Sequence, residues 1–229
     1  MKVNHSIANP ALVSLIRDPS QLITLDANFL IPPDRSRICK RNFSYSLFKD
    51  VWLDPIFEIF PNLAIHEAVY DELVVPKIRN YVDLMLSWNP PRLIIHRDSA
   101  LSITEKILRD SIENKIYPLT NYDPNLDNKD DRGEVKSLSY IAVKGLLYFA
   151  AHDNTALQLI ENACTWSTGL DNVQAIHMYE LIYYIFSNHL AEKDALRILY
   201  KYQYHLTNRE KATNPMWGEF IRIMGTLYS

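Results

Sequence analysis

The feature that most constrains this chain is a series of apolar runs too short for helices, separated by stretches with helical spacing. Residues 21–25 form a partly β-branched run that ends at Asp26 and reads as a buried strand. Residues 63–65, 92–96, 146–151 and 163–167 read as further strands. Helical spacing covers 45–60 with a break at Pro55, 67–74 stopped by Pro76, 82–88, 99–114, 133–144 and 155–161. Three more helices are expected over 172–188, 191–204 and 215–227. In the 99–114 helix, Leu101, Ile103, Ile107, Leu108 and Ile112 share one face, which is expected to pack on the core. Such alternation implies βαβ units, right-handed crossovers and a parallel sheet, hence an α/β fold. Ligands of such sheets bind at the carboxyl ends of the strands.

A chain of 229 residues can bury one substantial core. The expected organisation is an N-terminal extension over 1–19, one α/β domain over 20–188, and a helical C-terminal extension over 189–229 packed on that domain. With 48% hydrophobic and 22% charged residues, disorder and fibrous classes are excluded. The net charge of −3 argues against a general, salt-driven nucleic-acid binder. It leaves room for a nuclease, whose acidic residues offset a basic surface. Cys39 and Cys164 form no C-x-x-C pair, which excludes a cysteine zinc site and fits a reducing cytoplasm. His66, His96 and His177 are isolated in sequence, and no H-x-x-x-H pair exists. Phosphate-loop, dinucleotide and nucleophile-elbow glycine motifs are absent. The most apolar stretches carry Lys144 and Glu180 and are too short to span a bilayer, so no membrane association is expected.

Two of the strands end in acids. Asp26 follows the first directly, and Asp153 follows the fourth after His152. If these strands are neighbours, both carboxylates share one crevice. A carboxylate there is costly unless paired, and a divalent cation is a natural partner. Glu72 lies on a core-packed helix. Glu134 opens another, just after Asp131, Arg132 and Gly133. Taken singly, each acid has a plainer reading. Asp26 suits a turn after a strand, Glu72 a solvated helix surface, and Asp131 with Glu134 a capping box. Capping by Asp131 and metal ligation by Glu134 are compatible.

Arg35, Arg37, Lys40 and Arg41 form the densest basic cluster, with Phe43 and Tyr45 after it. It reads either as a solvated loop or as a holder of RNA phosphates whose aromatics stack on bases. A second cluster, Lys193, Arg197, Lys201, Arg209 and Lys211, reads as the charged outer face of a packed helix. Tyr179, Tyr183 and Tyr184 suit a core or an oligomer interface.

The ordered set resembles the PIN domain, the metal-dependent ribonuclease fold of VapC-type toxins and several RNA-processing nucleases. The set is an apolar strand with Asp26, Ala27 and Asn28, then Glu72 before Leu73. Asp131, Arg132, Gly133 and Glu134 open the next helix, and a strand runs into Asp153. The resemblance covers roughly residues 20–188. It implies a three-layer α/β/α fold with a parallel central sheet, here with extra C-terminal helices. It further implies an endoribonuclease in which Asp26, Glu72, Glu134 and Asp153 hold Mg²⁺ or Mn²⁺, with Asp131 in support. Asn28 matches the small polar position of the family motif, and His152 stands where many relatives carry Ser or Asp. Asn28, His152 and the first basic cluster are the expected substrate-binding residues. RNA, a small antitoxin protein and a second copy of the chain are the implied partners. A PIN-like module that binds RNA or protein without catalysis is the alternative.

Overall fold

A computed structural model of the chain describes residues 2–39 and 43–228. Lys40 and Arg41 of the first basic cluster lie outside the described residues. The chain divides into two compact units, neither of them continuous in sequence. One comprises residues 20–31 and 61–175, the other residues 1–19, 32–60 and 176–229. One division falls at 19/20, where the sequence places it, and none falls at 188/189. The segment 32–60 and the helix that follows the last strand group with both termini, because their aromatic side chains pack there.

The unit of residues 20–31 and 61–175 carries the sheet. Its strands are β1 (Ile23–Leu25), β2 (Leu63–His66), β3 (Leu93–His96), β4 (Tyr148–Ala151) and β5 (Gln174–His177), the chain leaving this unit within β5. They form a five-stranded parallel sheet in the order β3-β2-β1-β4-β5, flanked by helices, so the fold is α/β. β1, β2 and β4 are buried throughout, as parallel strands covered on both faces must be. β1 sits centrally: Ile23 faces Leu63 on one side and Tyr148 on the other. Leu25 pairs with Ala150, and the Asp26 amide donates to the Ala150 carbonyl at 2.9 Å. The residues after β1 and after β4 therefore emerge together at the carboxyl end of the sheet.

Four local expectations are corrected. The fifth strand is not 163–167. Ala163–Trp166 is a helical turn closed by left-handed Ser167, and the strand is Gln174–His177. The helix expected over 172–188 is therefore only Met178–Ser187. Pro55 does not break the 45–60 helix. Tyr45–Phe48, a π-helical turn over Lys49–Leu53, and Asp54–Ile59 run on. Pro55 follows directly on the π-helical turn, which already interrupts the regular α-helical ladder that a proline ring would otherwise break.

Only part of the apolar face of the 99–114 helix turns inward: Leu101 is buried and Ile112 half-buried, and the other three residues point outward. In the observed helix, Ile103–Ile116, the side chains of Ile103, Ile107 and Leu108 are 81%, 64% and 52% exposed. This helix packs instead through Ile116 and Glu113, whose carboxylate receives Lys136 at 2.6 Å and Arg109 at 3.4 Å.

The other unit is helical: Pro10–Arg17, the composite helix ending at Ile59, Met178–Ser187, Lys193–Tyr204, Asn208–Thr213 and Trp217–Leu227. Trp52, Tyr179, Tyr200, Tyr204 and Phe220 are fully buried, which assigns Tyr179 to the core. Buried Asn214 ties both ends of the chain to this unit. It accepts the Val3 amide and donates to the Tyr204 carbonyl, each at 2.8 Å. Glu180, also buried, accepts from the His177 amide and from Asn9, each at 2.9 Å. Among the described residues, no helix is long and apolar enough to cross a membrane.

Candidate metal centre

Asp26 ends β1 and begins a 3₁₀ turn over Ala27–Phe29. Its side chain is completely buried, and among the described residues neither carboxylate oxygen has a hydrogen-bond partner. Burial pushes its pKa up to about 7. The nearby amides of Ala27 and Asn28 pull it back, and the charges of Glu72 and Asp153 push it further. Asn28 bridges the two strand ends, its Oδ1 accepting the His152 amide at 2.8 Å. The next residue, Asp153, caps the helix Asn154–Glu161 by accepting the Thr155 amide at 2.6 Å. One of its oxygens is thereby held at a fixed place on the sheet end.

Glu72 closes the helix Glu67–Glu72, and its Oε1 accepts the Gly133 amide at 2.9 Å. A Cβ at position 133 would stand 2.7 Å from that oxygen, so only glycine admits this approach. Burial pushes Glu72 up to about 7. The Gly133 amide and Arg132 oppose this, and Asp131 and Asp71 add to it. Glu134, in the first turn of the helix Arg132–Lys144, is pushed up to about 9. Burial is the main cause, followed by the charges of Asp26, Glu72 and Asp153. Asp26, Glu72, Glu134 and Asp153 thus lie within one another's electrostatic reach.

Asp131 does not cap its helix. Its backbone is left-handed (φ 54°), unlike the extended backbone of a capping residue, and its side chain makes no cap hydrogen bond. The carboxylate turns back to the preceding loop, where one oxygen accepts the Asn121 amide at 2.9 Å and Asn121 Nδ2 at 3.0 Å. The capping box is therefore absent, and Asp131 acts on the cluster through its effect on Glu72.

The donor set suits a hard divalent cation. All four side chains offer carboxylate oxygens, two of these oxygens are buried without partners, and the charges repel one another. The four acids are too spread for any three to have ligand atoms all within 4.8 Å of one another.

A second group escaped notice in the sequence. His66 and His96 are opposite one another in the β2–β3 register, and both pack on Tyr140. Buried His96, hydrogen-bonded to Thr24 at 3.1 Å, is held down at about 4 by burial and by His66. His66, Glu67 and Asp98 bring their ligand atoms within 4.8 Å of one another. They already have partners. His66 Nδ1 accepts the Ala68 amide and its Nε2 faces Asp98 at 3.4 Å. Glu67 accepts the Asp98 amide at 2.8 Å, and Arg109 donates to Asp98 at 2.8 Å. The signal was positional: these histidines end adjacent strands, a relation that sequence spacing does not display.

In the helical unit, Arg35 is engaged internally. It donates to the carbonyls of Tyr202 and Gln203 and pairs with Glu210. Phe43 is buried against Phe48 and Tyr202, which removes it from base stacking. Arg37 is exposed. Comparison with family models, curated proteins and solved structures finds no match.

Proposed function

We propose that this chain is a Mg²⁺- or Mn²⁺-dependent endoribonuclease of PIN-like type, hydrolysing RNA phosphodiester bonds at Asp26, Glu72, Glu134 and Asp153. The observation that carries the reading is Asp26, a fully buried carboxylate with two unpartnered oxygens among three other acids. A group of that kind costs several kcal/mol in folding unless something compensates it, so its place at a strand end calls for a function. When bound, a divalent ion supplies Lewis acidity, which lowers the pKa of water and neutralises charge on a phosphodiester. The chain's own residues supply position and charge. Gly133 fixes Glu72, Thr155 fixes Asp153, and Asn28 holds the turns after β1 and β4 in register. None of the acids serves as a covalent nucleophile. The PIN resemblance extends the proposal to a cytoplasmic toxin whose small antitoxin places an arginine among the carboxylates, and to a homodimer.

The test is cleavage of labelled RNAs and single-stranded DNAs with Mg²⁺ or Mn²⁺, with EDTA and Asp26→Asn as controls. Metal-dependent cutting should fall by about a thousandfold or more in Asp26→Asn, the scale seen when a principal catalytic charge is removed. Absence of both cutting and calorimetric metal binding would put the non-catalytic binding module in its place.

A further inference from the structure

The second basic cluster does more than charge a helix face. In the helical unit, a cavity of about 600 Å³ opens among Arg197, Lys201, His205, Lys211, Trp217 and Gly218. That volume is in the range of small-molecule sites. Lys201 and Lys211 are exposed and have neither an ion pair nor a hydrogen bond among the described residues. Arg197 has only the exposed Asp194, at 3.3 Å. His205 brings a buried Nε2 without a partner. The helix Trp217–Leu227 starts at this cavity, and no side chain caps its N-terminus, so its first amides face outward as anion donors. The one acid of that first turn, Glu219, lines a neighbouring cavity of about 330 Å³ instead.

The remaining wall is aromatic. Trp217 is held by Phe186, Tyr200 and Phe220 at centroid distances of 5.5, 5.6 and 5.7 Å, yet stays half-exposed. A ring so braced loses little freedom when a planar ligand stacks on it. Cations, uncapped helix amides and a fixed indole together match one chemistry, a phosphate attached to a flat heterocycle. An acidic peptide would use the cations and leave the indole idle.

We propose that this cavity binds a nucleotide unit, its phosphate among Lys201, Lys211, Arg197 and the helix N-terminus and its base against Trp217. The unit belongs either to a free nucleotide or to a single strand. The proposal does not rest on the acidic centre.

The test titrates the full chain, in EDTA so that metal-bridged binding is absent. The probes are inorganic phosphate, adenosine monophosphate and a labelled oligoadenylate of five nucleotides. Adenosine monophosphate should bind about tenfold or more tightly than phosphate, the margin expected of base stacking. Lys201→Ala and Lys211→Ala should each weaken binding about tenfold. Gly218→Leu should abolish it without loss of melting temperature. A Cβ there meets nothing within 4 Å, and glycine is a poor helix residue. Oligoadenylate binding a hundredfold above the mononucleotide identifies a strand as the source, and equal affinity identifies a free nucleotide. Equal binding of phosphate and mononucleotide, binding that survives Gly218→Leu, or no binding at all overturns the proposal.

Discussion

Two acidic groups sit at the carboxyl end of the same sheet and differ in one respect. Around Asp98 every charge has a counter-charge. Burial pushes that carboxyl up, but the hydrogen bond from His66 and the charges of His66, Arg109 and Lys136 hold it below the usual range. Around Asp26, among the described residues, no cation forms an ion pair. Arg132 comes nearest to Glu72, yet its guanidinium is taken by Asp127 at 2.9 Å. The first group is a finished structural tie, and the second stays unneutralised at a cost to the fold. Similar residues at similar places are thus separated by whether the chain supplies its own cation.

The contrast is broken most forcefully at Arg109. Arg109→Ala removes the cation shared by Asp98 and Glu113, leaving them only His66 and Lys136, and should destabilise the protein by about 3 kcal/mol, the low end for breaking a buried ion pair. Chemical denaturation measures it, and metal-dependent cleavage should persist in the folded fraction. Gly133→Ala should come next. In an ordinary helix this change gains up to about 1 kcal/mol. Here the new methyl meets Glu72 Oε1, so a loss of about 1–2 kcal/mol is expected together with loss of cleavage.

Acidity sharpens the same comparison. Asp26, Glu72 and Glu134 have folded pKa values above those of the unfolded chain, so the folded state holds more protons between about pH 4 and 9. Stability from this group is therefore greatest below about pH 4, falls as pH rises from there, and is fully lost above about 7 for Asp26 and Glu72 and above about 9 for Glu134. Asp98, shifted downward, works oppositely: its contribution is present above the unfolded pKa and disappears in acid. In EDTA the melting temperature should drop by about 5 °C between pH 6 and 8.5. Mg²⁺ or Asp26→Asn should flatten that slope, and a slope unchanged by either would show that the acids are neutralised from within. The smallest effect is expected at Ile107. Ile107→Lys should change stability by less than about 0.5 kcal/mol, as judged by urea midpoint, because that side chain faces water.

Much of this was legible in the residues. The run before Asp26 and the run before His152 and Asp153 are buried on both faces, and such runs carry a strong strand signal. Their pairing brings Asp26 and Asp153 to one end, whereas the approach of Glu72 to the Gly133 amide is a tertiary contact that the sequence did not announce. What escaped depended on tertiary choice. Gln174–His177 is four residues fused to a helix, so its periodicity vanished into the helical pattern. Ile103, Ile107 and Leu108 made a convincing apolar stripe, but ion pairs at Glu113 decided which face turned inward. Asp131 had the sequence of a cap and the backbone of a left-handed turn. Arg35 read as a phosphate ligand, because nothing local announced the Tyr202 and Gln203 carbonyls that engage it.

The central place of β1 has a consequence for how the protein comes into being. Leu25 is synthesised 125 residues (150 − 25) before its partner Ala150. The strand bearing Asp26 must wait with one edge open while β2 and β3 are synthesised. Both units are interrupted in sequence, and the sheet unit is complete only once residue 175 has been made. Assembly of the carboxylate cluster is thereby deferred until β4 has been made, pairs with β1 and delivers Asp153 beside Asp26.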